Sequence, residues 1–288
     1  VGNAAMDHIN RHYFIADSLA SAGQYDMNLD MHIRYNPILT RYDWNIKPFD
    51  TIKINAALDP VKMDIYGFIP KFIYGSNRID STALTINENP EILEYQLKLK
   101  SYQNGSTFKF YQPTIAGNIN SDTINANISI ADSSLKEQFA FNGSLFQNIN
   151  NGLSQTNITL KKGLKFNYDE WNVNEANLIA FNDLGVHIKD FNLNQGDQTI
   201  NVSSETEMFN SPLGVNINNF ALSNLTSIIS GDTLLADGTL NASVNLDFDP
   251  YGPFIAAQAA IDNLKVFEVP FGKIDVDAYN INAQLYEA

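Results

Sequence analysis

The residues best equipped for chemistry are few and poorly spaced for it. His8 and His12 lie four apart, the interval that sets two imidazoles on one helix face as metal ligands. A zinc-hydrolase helix carries Glu directly after the first His, and Ile9 stands there instead. A surface pair near the chain start is the plainer reading. His32 and His187 fall inside alternating segments and are expected on a solvent face. Asn245, Asp247 and Asp249 resemble the opening of a calcium loop, but its sixth position needs Gly and Pro250 occupies it. The intervening Leu246 and Phe248 fit a strand better. No Gly-rich loop leads into Lys-Ser/Thr, and no Gly-x-Ser-x-Gly elbow occurs. Nothing singles out a carboxylate pair for sugar hydrolysis. The absence of Cys excludes disulfides, Cys-ligated zinc and thiol chemistry. The expectation is a non-enzymatic protein with no catalytic residue, no metal and no cofactor.

Charge narrows the partners. Across 288 residues, 18 Lys+Arg against 32 Asp+Glu give a formal charge of −14. That balance argues against nucleic acid, whose phosphates require Lys and Arg, and against electrostatic docking to an anionic membrane surface. Charged residues make up only 17 %, against about 25 % in ordinary proteins. Asn, Ser, Thr and Gln fill the polar positions, and Asn is conspicuously frequent. No stretch reaches the roughly 20 apolar residues of a membrane helix; the best, 254–261, is interrupted by Gln258. No signal-peptide pattern opens the sequence. Together with the start at Val1, this suggests a mature product or a piece of something longer.

The elements that would position any site are strands. Apolar residues alternate with polar ones, the mark of a sheet with one apolar face. Tyr25, Met27, Leu29, Met31, Ile33 and Tyr35 form one such run, and Ile52, Ile54, Ala56 and Leu58 another. Ile124, Ala126, Ile128 and Ile130 alternate with Asn125, Asn127 and Ser129. Leu240, Ala242, Val244, Leu246 and Phe248 do the same, as do Ile274, Val276 and Ala278, then Ile281, Ala283 and Leu285. Phe139 and Phe141 sit two apart on one strand face, and Tyr168 and Trp171 bracket a turn.

Turn residues punctuate these runs: Asn36-Pro37, Asp59-Pro60, Asn89-Pro90, Asn104-Gly105, Asn142-Gly143, Asn151-Gly152, Gly196-Asp197, Gly231-Asp232 and Asp249-Pro250. Many short strands with regular turns predict an all-β fold. Met6, Ile9, Tyr13, Ala16 and Ala20 recur at helical spacing, so residues 1–23 read as an N-terminal helix or as unstructured sequence. Ser223 to Gly231 reads as a short helix with an N-cap and a terminal Gly. No linker divides residues 24–288, which are expected to form one continuous β region.

Particular segments carry a family resemblance. Gly163-Leu-Lys-Phe-Asn-Tyr-Asp-Glu-Trp171 continues through Asn177, Val186-His-Ile-Lys-Asp-Phe191 and Gln198-Thr-Ile-Asn-Val-Ser203. This stretch resembles the β-rich periplasmic region of TamB-like proteins of the Bacteroidetes type. Those are the inner-membrane subunits of the translocation and assembly module, within the AsmA-like bridging superfamily. Phe220 to Ala242 is similar to the family's short helix followed by a Gly-Thr/Lys-Leu-Asn-Gly strand, with Ala242 where Gly is frequent. The resemblance covers about Ser121 to the end; Val1 to Lys100 match in style only.

The resemblance implies a long twisted antiparallel sheet curled into a U-shaped apolar groove (a β-taco), with one or two short helices. It implies a periplasmic location, with the parent protein anchored in the inner membrane by a helix absent from this sequence. It also implies pairing with an outer-membrane barrel of the assembly-factor type. The cargo would be phospholipid acyl chains or nascent outer-membrane barrel proteins, the latter engaged at strand edges. Candidate groove residues are Ile124, Ala126, Ile128, Ile130, Phe139, Phe141, Leu240, Val244, Leu246, Phe248, Ile274, Val276, Ile281 and Leu285. The alternative is a closed β-sandwich adhesin or carbohydrate-binding module, because period two suits an open or a sealed face equally.

Overall fold

The computed structural model describes residues 8–9, 25–89, 91–105, 108–150, 152–230, 235–249, 252–282 and 285–287. Its chain divides into two units, Val1–Ala140 and Phe141–Ala288. The described residues are overwhelmingly β, and every strand pairing between them is antiparallel. Among them no helix is long and apolar enough to cross a membrane.

The first unit is a meander. β1 (Met27–Ile33) is followed by a short helix, α1 (Pro37–Tyr42). Then come β2 (Ile52–Leu58), β3 (Met63–Tyr74), β4 (Asn77–Glu88), β5 (Leu93–Asn104), β6 (Phe108–Asn120) and β7 (Thr123–Ala131), each paired with the one before. α1 stands where Asn36-Pro37 predicts only a turn. Asn36 is its N-cap, accepting from the Ile38 N–H at 3.0 Å, and Pro37 fits the first helical position because it lacks an N–H. The 1–23 helix is described only at His8 and Ile9, which are helical.

The second unit takes in β8 (Glu137–Asn150), which begins just before it, then β9 (Leu153–Leu160), β10 (Leu164–Phe166), β11 (Asp169–Val173), β12 (Leu178–Asn182) and β13 (Gly185–Lys189). It continues with β14 (Phe191–Gln195), β15 (Gln198–Ser204), β16 (Leu213–Ala221), α2 (Ser223–Ser230), β17 (Ala236–Asp249), β18 (Gly252–Val266), β19 (Val269–Asn282) and β20 (Leu285–Glu287). The strands β14 to β20 pair in sequence, and β11 joins their start by pairing with β14. α2 begins one residue earlier than a Ser223 N-cap requires: Ser223 is already helical, and Leu222 O accepts from the Leu225 and Thr226 N–H groups.

Several tight turns form without the expected Gly. Ser121-Asp122, Asn167-Tyr168 and Phe267-Glu268 hold positive φ at both central positions, the twist-matched hairpin turn. Asn142-Gly143, by contrast, is not a turn. Both lie inside β8, where Gly143 pairs with Leu160 and a Cβ would meet Thr159 O at 3.0 Å.

Candidate functional site

Residues directly opposite each other in an antiparallel pair share a face, so the registers trace complete rows across the sheet. In the first unit one row runs Met31–Ile54–Gly67–Leu84–Leu97–Ile115–Ile128 through seven strands. The next is Leu29–Ala56–Ile65–Ile86–Tyr95–Gly117–Ala126, and the third is made of Met27–Leu58–Met63 on β1–β3 and Glu88–Leu93–Ile119–Ile124 on β4–β7. The opposite face carries Asp30, Asn55, Tyr66, Thr85, Gln96, Ala116 and Asn127 in one row.

The apolar face is covered at one end and open at the other. Leu58, Met63, Leu93 and Ile119 are buried, whereas Ile115 and Ile128 remain 41 % and 38 % exposed. Glu88 is the one charge in these three rows. It is buried, and the His8 ring, also buried, lies against its carboxyl while bonding Tyr25 Oη at 2.8 Å. His8 is therefore not the surface residue expected; His12 lies outside the described residues.

The second unit repeats the pattern. Val173–Leu193–Ile200–Ile217–Ala242–Ala259–Val276 forms one apolar row, and Phe191–Val202–Val215–Val244–Ala257–Ala278 another. Between them on the other face runs Asn192–Asn201–Asn216–Ser243–Gln258–Asp277. Exposure again follows position along the row. Around β11 a closed cluster of Leu160, Leu164, Trp171, Val173, Leu193 and Phe220 excludes water, with Trp171 only 1 % exposed. At β19 Val276 is 42 % exposed.

The Trp171 and Phe220 rings meet at 5.7 Å, although β14 and β15 lie between their strands. Strands spaced about 4.8 Å apart would separate β11 from β16 by roughly 14 Å in a flat sheet. The sheet curls here, and its apolar face is the concave one. Twist also opens hollows on the polar face. One of about 510 Å³ lies over β1–β4, lined by Asp30, Asn55, Asp64 and Tyr66, and one of about 430 Å³ over β16–β19.

The sequence candidates fall into three groups. Ile124, Ala126 and Ile128 stand on the apolar face of β7, with half-buried Ile130 next along the strand. Val244, Leu246, Ile274 and Val276 share the apolar face of the second unit, and Phe248 continues the β17 alternation opposite Pro253. Phe141 and Leu240 instead pack against the closed Trp171 cluster, and Phe139 is buried. Side chains of Ile281 and Leu285 lie outside the described residues. The period-two rule fails at His187. Asn157, Ala180 and His187 pair in register and are all buried, with the Phe209 ring 5.9 Å from the imidazole.

β5 carries a further apolar alternation beyond the runs named above. Leu93, Tyr95, Leu97 and Leu99 alternate plainly with Glu94, Gln96 and Lys98, and that signal was available. Among the described residues no group of three or more His, Asp or Glu is placed to hold a metal.

No protein-family model, curated protein or solved structure matches this chain.

Two polar devices hold the face in shape. The Tyr95 hydroxyl donates to Asn125 O at 2.9 Å across β6, passing over Gly117, where a Cβ would lie 1.9 Å from that same carbonyl. Burial pushes the Tyr95 phenol above its ordinary pKa. Asn177 imitates a strand neighbour: its Oδ1 accepts from Leu160 N–H at 2.7 Å and its Nδ2 donates to Leu160 O at 2.9 Å. At the β2–β3 turn, the Val61 and Lys62 N–H groups hold the Asp59 carboxyl below its usual range.

Proposed function

We propose that this chain is a β-groove segment of a TamB-like bridging protein, working in the periplasm and sheltering phospholipid acyl chains on its apolar face without catalysis. The observation that carries the reading is the set of apolar rows, unbroken by charge except at Glu88, which grade from buried to half-exposed. An acyl chain needs no directional contact; each CH₂ removed from water contributes about 0.8 kcal/mol. A face of Ile, Leu, Val and Ala supplies that, and the curl at Trp171–Phe220 gives it concavity. Partnership with an outer-membrane barrel and assistance to nascent barrel proteins belong to the same proposal.

Aspartate at Ile128 or Val244 tests the reading. Each charge sits on the apolar face at a half-buried or exposed position, so the variants should fold and lose bound lipid on extraction and native mass spectrometry. Folded variants that retain lipid at the parent level overturn it.

A second reading, binding of a neutral saccharide, draws on the polar-face hollow over β1–β4. Its Asp and Asn side chains can bond vicinal hydroxyls, and the exposed Tyr66 ring can stack on a sugar face. Glycan-array binding that Tyr66→Ala abolishes would favour it over the groove.

A further inference from the structure

The excursion between β1 and β2 turns three large apolar side chains outward. Ile38 is 65 % exposed, Tyr42 96 % and Trp44 73 %. Ile38 and Tyr42 lie four apart, on one face of α1. These side chains do not project from a slack loop. Tyr35 Oη bonds Thr40 Oγ1 at 2.6 Å, and Thr40 Oγ1 donates to Ile46 O at 3.0 Å. Ile46 bridges to Tyr74, and Lys47 N–H donates to Ile73 O at 3.1 Å. The Phe49 ring packs between Tyr35 and Phe72 at 5.6 and 5.7 Å. The segment is fastened to β3 through its polar groups and Phe49, while two aromatics and an isoleucine face solvent. That is the reverse of ordinary surface economy.

Its charge is also reversed. Residues 34–51 hold Arg34, Arg41 and Lys47 against Asp43 and Asp50, a balance of 3 − 2 = +1. The remaining residues hold 15 basic against 30 acidic, or −15. Asp43 is turned inward, bonding the backbone and side-chain nitrogens of Asn45 at 2.9 Å. Lys47 Nζ stands 5.8 Å from the Trp44 ring centroid. Exposed Trp and Tyr beside Arg and Lys match the chemistry of a bilayer interface, where amphipathic rings sit at headgroup depth and cations meet anionic phosphates.

We propose that the β1–β2 excursion is an interfacial anchor, seating Ile38, Tyr42 and Trp44 at the headgroup–acyl boundary of an anionic phospholipid bilayer. The rest of the chain is acidic, but at physiological salt its repulsion is screened beyond about 8 Å, so the exposed, net-positive segment docks independently of it. The anchor does not depend on the groove.

The sequence provides its own probe, because it has only two Trp and Trp171 is buried. Phosphatidylcholine vesicles containing phosphatidylglycerol should shift Trp44 emission to shorter wavelength, and bromine-labelled lipid should quench it. Pure phosphatidylcholine vesicles should act more weakly, and Trp44→Phe should remove the response. The double variant Tyr42→Ser/Trp44→Ser, followed by co-sedimentation, should lower partition at least about tenfold. Ile128→Asp on the apolar face should leave partition unchanged, which separates this proposal from the groove reading. An unchanged spectrum at saturating anionic lipid overturns the anchor. So does undiminished partition of the double variant, or a self-association that this variant abolishes while the parent ignores vesicles.

Discussion

Trp171 on β11 and Phe220 on β16 hold their ring centroids 5.7 Å apart across a span that two further strands occupy. Both stand on the apolar face, so their contact both bends the sheet and seals one end of the face. Phe166 closes on the other side of Trp171, at 5.6 Å with the rings nearly perpendicular. Trp171→Ala should lower stability by about 3–5 kcal/mol, because it removes the largest buried side chain and leaves a cavity. Paired with Phe220→Ala in a double-mutant cycle, it should show a coupling of about 0.5–3 kcal/mol, measured by urea denaturation followed by circular dichroism. Strict additivity would mean that the curl has another cause.

Asn177 replaces a backbone partner for Leu160. Asn177→Ala leaves the Leu160 N–H and C=O unpaired in a buried position and should cost about 1–3 kcal/mol. Asn177→Asp keeps the acceptor but sets a buried carboxylate oxygen against the Leu160 and Asn174 carbonyls, so it should cost at least as much as Ala. Hydrogen exchange at the Leu160 amide checks the assignment and should speed up most in the Ala variant.

Gly117 and Tyr95 act as one unit. Gly117→Ala forces a methyl into Asn125 O and toward Tyr95 Oη, so β6 and β7 must separate, at about 1–3 kcal/mol. The raised phenol pKa also fixes a pH dependence. The unfolded chain releases the Tyr95 proton near the ordinary value of about 10, before the folded chain does. The stabilisation is therefore complete below that pH and disappears as pH rises through the folded value. Tyr95→Phe should melt lower than the parent at neutral pH, and the gap should narrow as pH is raised into the alkaline range. A gap that widens there would contradict the sign.

The alternating runs at 27–33, 52–58, 124–130 and 240–248 are strands with one apolar face, as their period demands. Between them the same face is harder to read, because Gly67, Thr82, Gly117 and Glu88 interrupt its rows. Each interruption has a local cause that needs a neighbouring strand to be seen, such as the Asn125 carbonyl crowding Gly117. α1 escaped because Asn-Pro opens a turn and a capped helix alike. The closure around Trp171 depends on strands distant in sequence, and period two carries no information about which strands meet. His187 is buried for the same reason: its strand is covered on the face that the pattern assigns to solvent.

The acidic end of the pH scale supplies a further check at the β2–β3 turn. Asp59 accepts from Val61 and Lys62 N–H groups at 2.7 and 2.9 Å, which lowers its pKa. Its contribution is present above the ordinary carboxylate value and lost as pH falls through the lowered one. Asp59→Asn should keep the turn bonds while flattening that acid-side loss, as melting temperature against pH will register.

The central claim is tested most directly by photocrosslinking from within the sheet. A benzophenone side chain placed at Ile128 or Val244 reports on the apolar face, and one at Asn127 or Ser243 on the polar face of the same strand. With radiolabelled phospholipid, adducts through the acyl chain should form at Ile128 and Val244 and be nearly absent at Asn127 and Ser243. Equal labelling on the two faces, or none at Ile128 and Val244 in a folded protein, would contradict the groove.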